Sequence, residues 1–255
     1  MLLEEIHKHK HDSRIKFNPK LHQYYVDGKD SYISVTELIK EFFSKFDTNA
    51  VIEKMVSSPN WDKSKYFGMT KTQIEKKWET LGNVSSSLGR LLHDTIENYY
   101  NELPIIVPPE ISIEFQQFLR FHSTMKWVPY RSEWCIFHKD FHVAGTIDMI
   151  FYDPITEKFH LFDWKRTPSF KKTNPFQTGS FPLHCLDDCK FNHYSLQLNI
   201  YKYILEKKYG LPVESMTLVA FHPDNKEYIK ESVPNQQELV EDLLHFQKSK
   251  FFKHS

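Results

Sequence analysis

Cysteine and glycine are both scarce in this chain, which excludes several classes of protein. Three cysteines and seven glycines occur in 255 residues. Neither a disulfide-dense scaffold nor a collagen-like fibre is therefore expected. Internal repeats and low-complexity tracts are also missing. So few cysteines in a chain of this length are typical of reduced thiols in an intracellular protein.

Targeting and membrane-spanning patterns are missing as well. Residues 1–11 are charged and lack the apolar centre of a signal peptide, and Glu4 and Glu5 disfavour a transit peptide. The apolar runs are too short to span a bilayer. We therefore expect a soluble, intracellular protein that is not secreted and has no membrane partner.

The chain has no excess of charge of either sign, with 33 basic and 33 acidic residues. A neutral total does not decide for or against a nucleic-acid partner, because attraction to phosphates depends on local charge. Aromatic residues are abundant instead, with 21 Phe and 13 Tyr. A chain of this length and composition can bury a substantial core.

Helical patterns dominate the first half of the chain and strand patterns follow. Residues 15–31 predict a hairpin that turns at Asp27-Gly28. Ser34 and Glu37 have the spacing of a capping box that begins a helix. Further helices are predicted over 47–80 with breaks at Pro59 and Gly68, and over 88–101, 111–126, 194–208 and 235–251. Strands are predicted over 131–138, 142–152, 158–166, 215–222 and 226–233.

This order of elements predicts an α+β (α/β) fold with a mixed central β-sheet flanked by helices. We expect an N-terminal hairpin and helical region at 1–84 that packs on a core formed by 85–255. The two parts are expected to make one compact unit.

Two strand-like segments carry carboxylates where burial is expected. Segments 145–150 and 161–166 are apolar on both faces, as in strands covered by helices, yet they contain Asp148 and Asp163. If the connection at 153–158 closes as a four-residue loop, Asp148 lies directly opposite Asp163. Their side chains would then be about 5 Å apart on one face of the sheet.

Two buried carboxylates at that distance repel each other unless a cation lies between them. Mg²⁺ prefers carboxylate and phosphate oxygens, and Lys165 lies two positions beyond Asp163, on the same strand face. Such a group suits phosphodiester hydrolysis, in which a metal polarises the phosphate and a lysine orients water or offsets charge. The alternative is an ordinary exposed Asp-x-Lys pair, which the opposed Asp148 and the apolar flanks disfavour.

Asp148 followed by Asp163-Trp164-Lys165 resembles the PD-(D/E)XK nuclease superfamily, whose restriction-endonuclease-like core presents such residues to one or two metal ions. Two flanking motifs are similar to the RecB-like exonuclease branch: Gly89-Arg90-Leu91-Leu92-His93 and Gln197-Leu198-Asn199-Ile200-Tyr201. The resemblance covers residues 85–222. Ile147 stands where the family usually has Pro, and the middle acid is Asp rather than Glu.

The resemblance implies a Mg²⁺- or Mn²⁺-dependent DNA nuclease of exonuclease character, active in replication, recombination or repair, with a partner protein from those processes. Ser34-Val35-Thr36 and Trp78 are more loosely similar to exonucleases of large DNA viruses and of mitochondrial genome maintenance. The cytoplasm, the nucleus or a viral factory is then the expected location. A catalytically inactive nucleic-acid-binding module of the same fold and an RNA-directed nuclease are the alternatives.

Residue roles also follow from the resemblance. The expected metal ligands are His93, Asp148, Asp163 and the Trp164 carbonyl. Lys165 would position or activate water, and Gln197 would support it. The expected substrate contacts are Tyr201, Arg166, Lys171, Lys172, Ser34 and Thr36. The ordinary alternative for Gln197 and Tyr201 is a helix-edge Gln beside a core Tyr.

Glu97 and Glu133 are further candidates for the site. Glu97 shares a helix face with His93 and is either its hydrogen-bond partner or a surface acid. Glu133 lies where related nucleases often carry an acid, and the alternative is an ordinary charge at the start of a strand.

The connection at 167–193 is expected to lie beside the site as a mobile lid. It offers basic residues for phosphates and aromatic residues for base stacking: Phe170, Phe176 and Phe181. His184, Cys185 and Cys189 also lie here. Three cysteines in all argue against an iron–sulfur cluster, and a Cys/His zinc site is the weaker alternative.

Overall fold

The computed structural model describes the backbone of residues 2–251 and the side chains of residues 2–249. The α-helices of this part are α1 (Leu3–Ile6), α2 (Val35–Lys40), α3 (Thr48–Val56), α4 (Lys71–Tyr100), α5 (Ser112–His122), α6 (Lys190–Ile204) and α7 (Gln237–Phe251). Its strands are β1 (Ile15–Asn18), β2 (Gln23–Val26), β3 (Lys29–Ser34), β4 (Val128–His138), β5 (Val143–Asp153), β6 (Lys158–Lys165), β7 (Val213–Ala220) and β8 (Ile229–Ser232).

The strands form one eight-stranded mixed sheet. Strands β1, β2 and β3 make an antiparallel meander, and β3 then runs parallel to β5. Strand β6 is antiparallel to β5 and parallel to β7, and β8 closes the order as an antiparallel edge. The predicted mixed sheet flanked by helices is confirmed.

Strand β5 has a gap along one edge. Strand β4 pairs with β5 over residues 143–152, so β3 and β6 must share the other edge of β5. Strand β3 pairs with β5 only at Val143 and Ala144, and β6 pairs with β5 only from Met149 onward. Residues 145–148 therefore lie in a fork between β3 and β6. A place where neighbouring strands diverge leaves room for a ligand at the sheet itself.

Helices cover both faces of the sheet. Helices α2, α6 and α7 pack on one face, in a core that includes Ile147 and Leu161. Helices α1, α4 and α5 pack on the other face, in a core that includes Met149, Phe162 and Trp164. No helix among the described residues combines the length and the apolarity needed to cross a membrane.

Local sequence signals explain how the N-terminal elements begin. The predicted turn at Asp27-Gly28 joins β2 to β3, and both residues have positive φ, which Gly adopts without strain and Asp tolerates. The Glu37 amide donates to Ser34 Oγ at 3.1 Å, so α2 begins where the sequence predicts. The predicted single hairpin is instead a three-stranded meander with a second turn at 19–22.

Helix α4 is longer than the sequence pattern predicts. It runs for 30 residues without interruption and passes through residue 84, where the N-terminal region was expected to end. Residues 79–87 are exposed on every side of the helix. Gly82 and the serines at 85–87 are weak helix formers, and this stretch has no buried stripe. The sequence therefore predicted two helices, ending at 80 and beginning at 88, where the structure has one.

Gly145 makes room for Tyr201 at the fork. The Tyr201 ring is 3% exposed and lies against the β5 backbone. A Cβ atom at position 145 would be 2.5 Å from Tyr201 Cε1, much closer than packed atoms approach. The glycine is therefore required by the close approach of α6 to β5.

We predict that Gly145→Ala lowers the free energy of unfolding by about 1–3 kcal/mol, because the added methyl group overpacks the core. Urea unfolding of the variant and of the unmodified protein measures the change. Gly89→Ala is the matched control, because a Cβ there meets nothing within 4 Å and alanine favours a helix. In a Tyr201→Leu background the cost at position 145 should shrink. An equal cost in both backgrounds would contradict the packing argument.

Candidate metal centre

The hairpin β5–β6 brings Asp148 and Asp163 to the same level of the sheet. The predicted loop at 153–158 closes, and the predicted register continues as far as the Met149–Phe162 pair. Asp148 and Asp163 are the next positions on the two strands, where the hydrogen-bonded ladder stops. The hairpin register is confirmed, and the acids lie where the two strands begin to separate.

Glu133 reaches this level from the other side of β5. The pairs on either side of it in the β4–β5 ladder place it opposite Asp148. Its φ of 43° is left-handed, which is strained for a residue with a side chain and is common at functional sites. Strand β5 is irregular here too: Ile147 and Met149 are two residues apart yet pack in cores on opposite faces. Glu133 thus lies within β4, not at its start.

Helix α4 places His93 over the three strands. His93 Nδ1 lies 3.3 Å from Glu133 Oε1 and 3.7 Å from Asp148 Oδ2, and Nε2 lies 3.0 Å from the Trp164 carbonyl oxygen. The Trp164 amide donates to Asp148 Oδ2 at 2.7 Å. The predicted ligands His93, Asp148 and Trp164 are therefore in direct contact with one another.

His93, Glu133 and Asp148 form a group that could hold a metal ion. One ligand atom from each residue lies within 4.8 Å of the others. In the described part of the chain, no other trio of His, Cys, Asp or Glu side chains is this close. Two carboxylates and an imidazole suit a divalent cation.

Asp163 and Lys165 form a close pair beside this group. Lys165 Nζ is 2.5 Å from Asp163 Oδ2, and it also lies 4.7 Å above the Tyr194 ring centre. Asp163 is 1% exposed, and apart from this ion pair its oxygens have no polar partner among the described residues. A buried carboxylate oxygen without a partner is costly, and Asp163 Oδ1, which Lys165 does not contact, fits a cation as its missing partner.

Burial and mutual charge set the protonation of the centre. Burial raises the pKa of Asp163 to about 6 against the opposing effect of Lys165. Burial also raises the pKa of Asp148, which His93 and Lys165 oppose. Burial alone would lower the pKa of His93, but Asp148 and Glu133 raise it to about 9. His93 is therefore protonated at neutral pH in the absence of metal and supplies positive charge to the acids.

Lys165 keeps its charge for the same reason. Burial alone would lower its pKa, but Asp163 and Asp148 outweigh burial and raise it.

Glu97 behaves differently, because burial and the nearby Glu133 raise its pKa to about 7. No hydrogen bond joins Glu97 to His93, so the predicted direct partnership between these two residues is not found.

Helix α6 supports the centre from beneath. Gln197 Nε2 donates to the Tyr201 hydroxyl at 3.1 Å, and Tyr201 is buried under Gly145. The predicted contact of Tyr201 with DNA is therefore wrong: β5 covers the ring, and the core Tyr of the alternative interpretation is what the fold contains. Tyr194 faces Lys165 instead. Tyr194 lies three residues before Gln197 and so shares its helix face. That spacing could have identified Tyr194 as a site residue from the sequence.

The metal group opens into a cleft of 660 Å³, here called the metal cleft. Its lining residues come from the β1–β2 hairpin, from β4, β5, β6 and the two residues after β6, and from α4 and α6. They are Phe17, Pro19, His22, Tyr24, Ser85, Ser86, Gly89, Arg90, His93, Asp94, Glu97, Glu133, Cys135, Thr146, Trp164, Lys165, Arg166, Thr167, Lys190 and Tyr194.

Of the six predicted substrate contacts, Arg166 alone lines the metal cleft. Its Nε donates to Oε1 of the buried Glu114 at 2.7 Å, which fixes the guanidinium. Lys172 is paired with Glu231 on β8, and Lys171 is exposed and does not line the cleft. The hydroxyls of Ser34 and Thr36 lie 3.1 Å apart, and Ser34 caps α2. The structure therefore does not bring these four side chains to the metal cleft.

The connection at 167–193 does not supply the predicted stacking rings to the metal cleft. Phe170 is buried, and the exposed Phe176 and Phe181 lie outside the cleft. The Ser180 amide donates to the Phe42 carbonyl at 2.7 Å, which ties the connection to the end of α2. Cys185 and Cys189 carry free thiols and belong to no metal group in the described residues.

The sequence matches no protein-family model and no curated protein. Matching solved structures include that of SSO0001, with 15% identity and a TM-score of 0.32 over 87% of this chain and 78% of the other. They also include a candidate exonuclease from Eubacterium rectale, with 13% identity and a TM-score of 0.39 over 88% of this chain and 79% of the other. At such low scores neither likeness bears on what this chain does.

We predict that Mn²⁺ binding at pH 7.5 releases about one proton, because His93 must lose its proton to become a ligand. Titration calorimetry in two buffers of different ionisation enthalpy measures the release. His93→Gln should bind more weakly and release fewer protons, while His184→Gln, on the exposed connection, is the control. Affinity should fall about tenfold per pH unit below about 9, where His93 is protonated, and more steeply below about 6, where Asp163 also becomes protonated. Equal heats in both buffers would contradict the assignment of His93.

Proposed function

We propose that this protein is a metal-dependent nuclease that hydrolyses phosphodiester bonds in DNA, with exonuclease character, and that it uses Mg²⁺ or Mn²⁺. One observation carries the proposal: a buried group of acids and His93 meets a charged lysine at the fork of the sheet, and the group opens into a cleft. This combination supplies both a cation site and a fixed positive charge, as phosphodiester hydrolysis requires.

The donor set fits a divalent cation that prefers oxygen. His93, Glu133 and Asp148 would hold it, with Asp163 and the Trp164 carbonyl as neighbouring oxygen donors. Carboxylates suit Mg²⁺ and Mn²⁺ alike, and the imidazole favours the transition metal. When bound, the ion would polarise the phosphate and lower the pKa of a bound water.

Lys165 acts as a fixed cation in this proposal. Because Asp163 and Asp148 raise its pKa, it stays protonated and is unsuited to remove a proton from water at neutral pH. Its ammonium group donates hydrogen bonds instead, which orients the nucleophile and offsets charge on the phosphate. Tyr194 and Asp163 hold it in place. Gln197 would support the site through its hydrogen bond to Tyr201, which packs against Gly145 of β5.

Arg166 is the proposed phosphate contact next to Lys165. Its ion pair with Glu114 fixes the side chain, and its place in the metal cleft puts the guanidinium within reach of a bound strand. DNA replication, recombination or repair, in a cell or a virus, is the proposed setting. A protein from those processes is the proposed partner.

The first prediction of this proposal concerns the products. DNA labelled at the 5′ or 3′ end, as a single strand, duplex or circle, should yield a product ladder from linear forms with Mg²⁺ or Mn²⁺. Circular DNA should stay intact, and EDTA should abolish cleavage. Binding without cleavage under every metal condition would identify an inactive module, and cleavage of RNA alone would exclude the DNA nuclease.

The second prediction concerns two residues of the centre. Asp163→Ala and Lys165→Ala should each lower the cleavage rate by more than about 100-fold, because each removes charge from the reacting phosphate or its metal. Lys171→Ala is the matched control, because Lys171 is exposed outside the metal cleft. Circular dichroism checks that each variant is folded. Full activity in either centre variant would refute the site.

A further inference from the structure

The metal cleft has an aromatic wall that the proposed chemistry does not use. It comes from the β1–β2 hairpin of the meander, which is far from the metal ligands in sequence. Phe17 is half-buried, His22 is exposed and Tyr24 is buried, and all three line the metal cleft. The wall is therefore an aromatic surface next to a metal group.

Direct contacts fasten this wall to the metal centre. The Phe17 ring centre lies 4.7 Å from that of Tyr24 and 5.3 Å from that of His22. The Tyr24 hydroxyl is 2.9 Å from Thr146 Oγ1. Thr146 lies on β5, two residues before Asp148, so the aromatic wall and the metal group share one strand as their support.

Small side chains form part of the facing wall. Ser85, Ser86 and Gly89 of α4 line the metal cleft, and a Cβ added at Gly89 would meet nothing within 4 Å. Space is therefore left between α4 and the meander. A flat group could enter it and lie against Phe17.

Two cations that line the metal cleft are unpaired. Arg90 on α4 and Lys190 on α6 are exposed, line the cleft and form no ion pair with any described residue. Along α4 the acids Asp94 and Glu97 follow His93, whereas Arg90 precedes it. The cleft thus carries free positive charge from two helices, as binding of a phosphate backbone requires.

We propose that the metal cleft binds a single-stranded nucleic acid, with a base stacked on Phe17 and with phosphates at Arg90 and Lys190. Unpaired bases offer ring faces to aromatic side chains, whereas the bases of a duplex stack on one another. The cleft volume of 660 Å³ falls within the roughly 300–1,000 Å³ of sites that enclose one small ligand. This substrate class rests on the proposed nuclease function, and it replaces the stacking residues expected at 167–193.

Binding without cleavage tests this site. Fluorescence anisotropy in EDTA compares an oligo-dT strand, the same strand with abasic spacers, a duplex of equal length and an oligo-U RNA. The intact protein should bind dT more tightly than the abasic strand or the duplex. Phe17→Ala should weaken dT binding by about tenfold and hardly change abasic binding. Phe176→Ala, an exposed aromatic outside the cleft, is the matched control.

Two more variants separate stacking from packing and from charge. Phe17→Leu keeps an apolar side chain but lacks the ring face, so it should weaken dT binding too, while Phe17→Trp should retain it. Arg90→Gln should weaken binding to every strand and lower the slope of affinity against salt by about one. Thermal unfolding checks that each variant keeps its fold. Binding of RNA as tight as that of dT would extend the site to both kinds of single strand.

Three results would overturn the site: a folded Phe17→Ala protein that binds dT like the unmodified protein, a duplex bound as tightly as dT, or no binding of any strand. The nuclease proposal fails separately. Phe17-dependent binding without metal-dependent cleavage would leave the single-strand site standing and remove the nuclease. Cleavage with binding that does not depend on Phe17 would do the reverse.

Discussion

Carboxylates buried at the centre of a sheet require compensating positive charge, and the rest of this structure depends on how that charge is supplied. Asp148 and Asp163 would repel each other and lose hydration if left alone. In the described protein the protonated His93 and Lys165 provide the charge. Each of these residues needs a support of its own: α4 carries His93 across the strands, and Tyr194 on α6 lies under the Lys165 ammonium.

The fork in the sheet makes this arrangement accessible. On the edge of β5 that faces away from β4, a continuous sheet would pair a strand with residues 145–148 and leave no entry to the acids. Because β3 ends and β6 begins on the same edge of β5, no strand pairs with residues 145–148 on that edge. The surrounding strands stay paired with their other neighbours, and Tyr201 fills the volume beneath Gly145. A site on such supports holds its geometry better than one on loops.

The sequence predicted those parts of the site that depend on local geometry. Loop length fixes hairpin register, so the shared level of Asp148 and Asp163 followed from the connection at 153–158. Family resemblance added His93. The position of Glu133 next to His93 and Asp148 did not follow from local geometry, because nothing in the residue types around it signals a left-handed backbone. Phe17 was missed because its wall is joined to β5 across 122 residues, between Tyr24 and Thr146.

The exposed middle of α4 has an energetic consequence for the molecule. Both of its ends are packed. Near its start, Ile74 packs in a small core with Ile52 of α3, and toward its end, Leu92 packs in the core between α5 and the sheet. Apart from the bond that Thr80 Oγ1 donates to the Lys76 carbonyl, the exposed residues 79–87 rely on the backbone hydrogen bonds of the helix, in a stretch of weak helix formers. Local opening there disrupts no core, so its amide protons should exchange with solvent more readily than those of either end. Because Ser85 and Ser86 of this stretch line the metal cleft, that part of the cleft lining should open at a lower free-energy cost than the strands that carry the metal group.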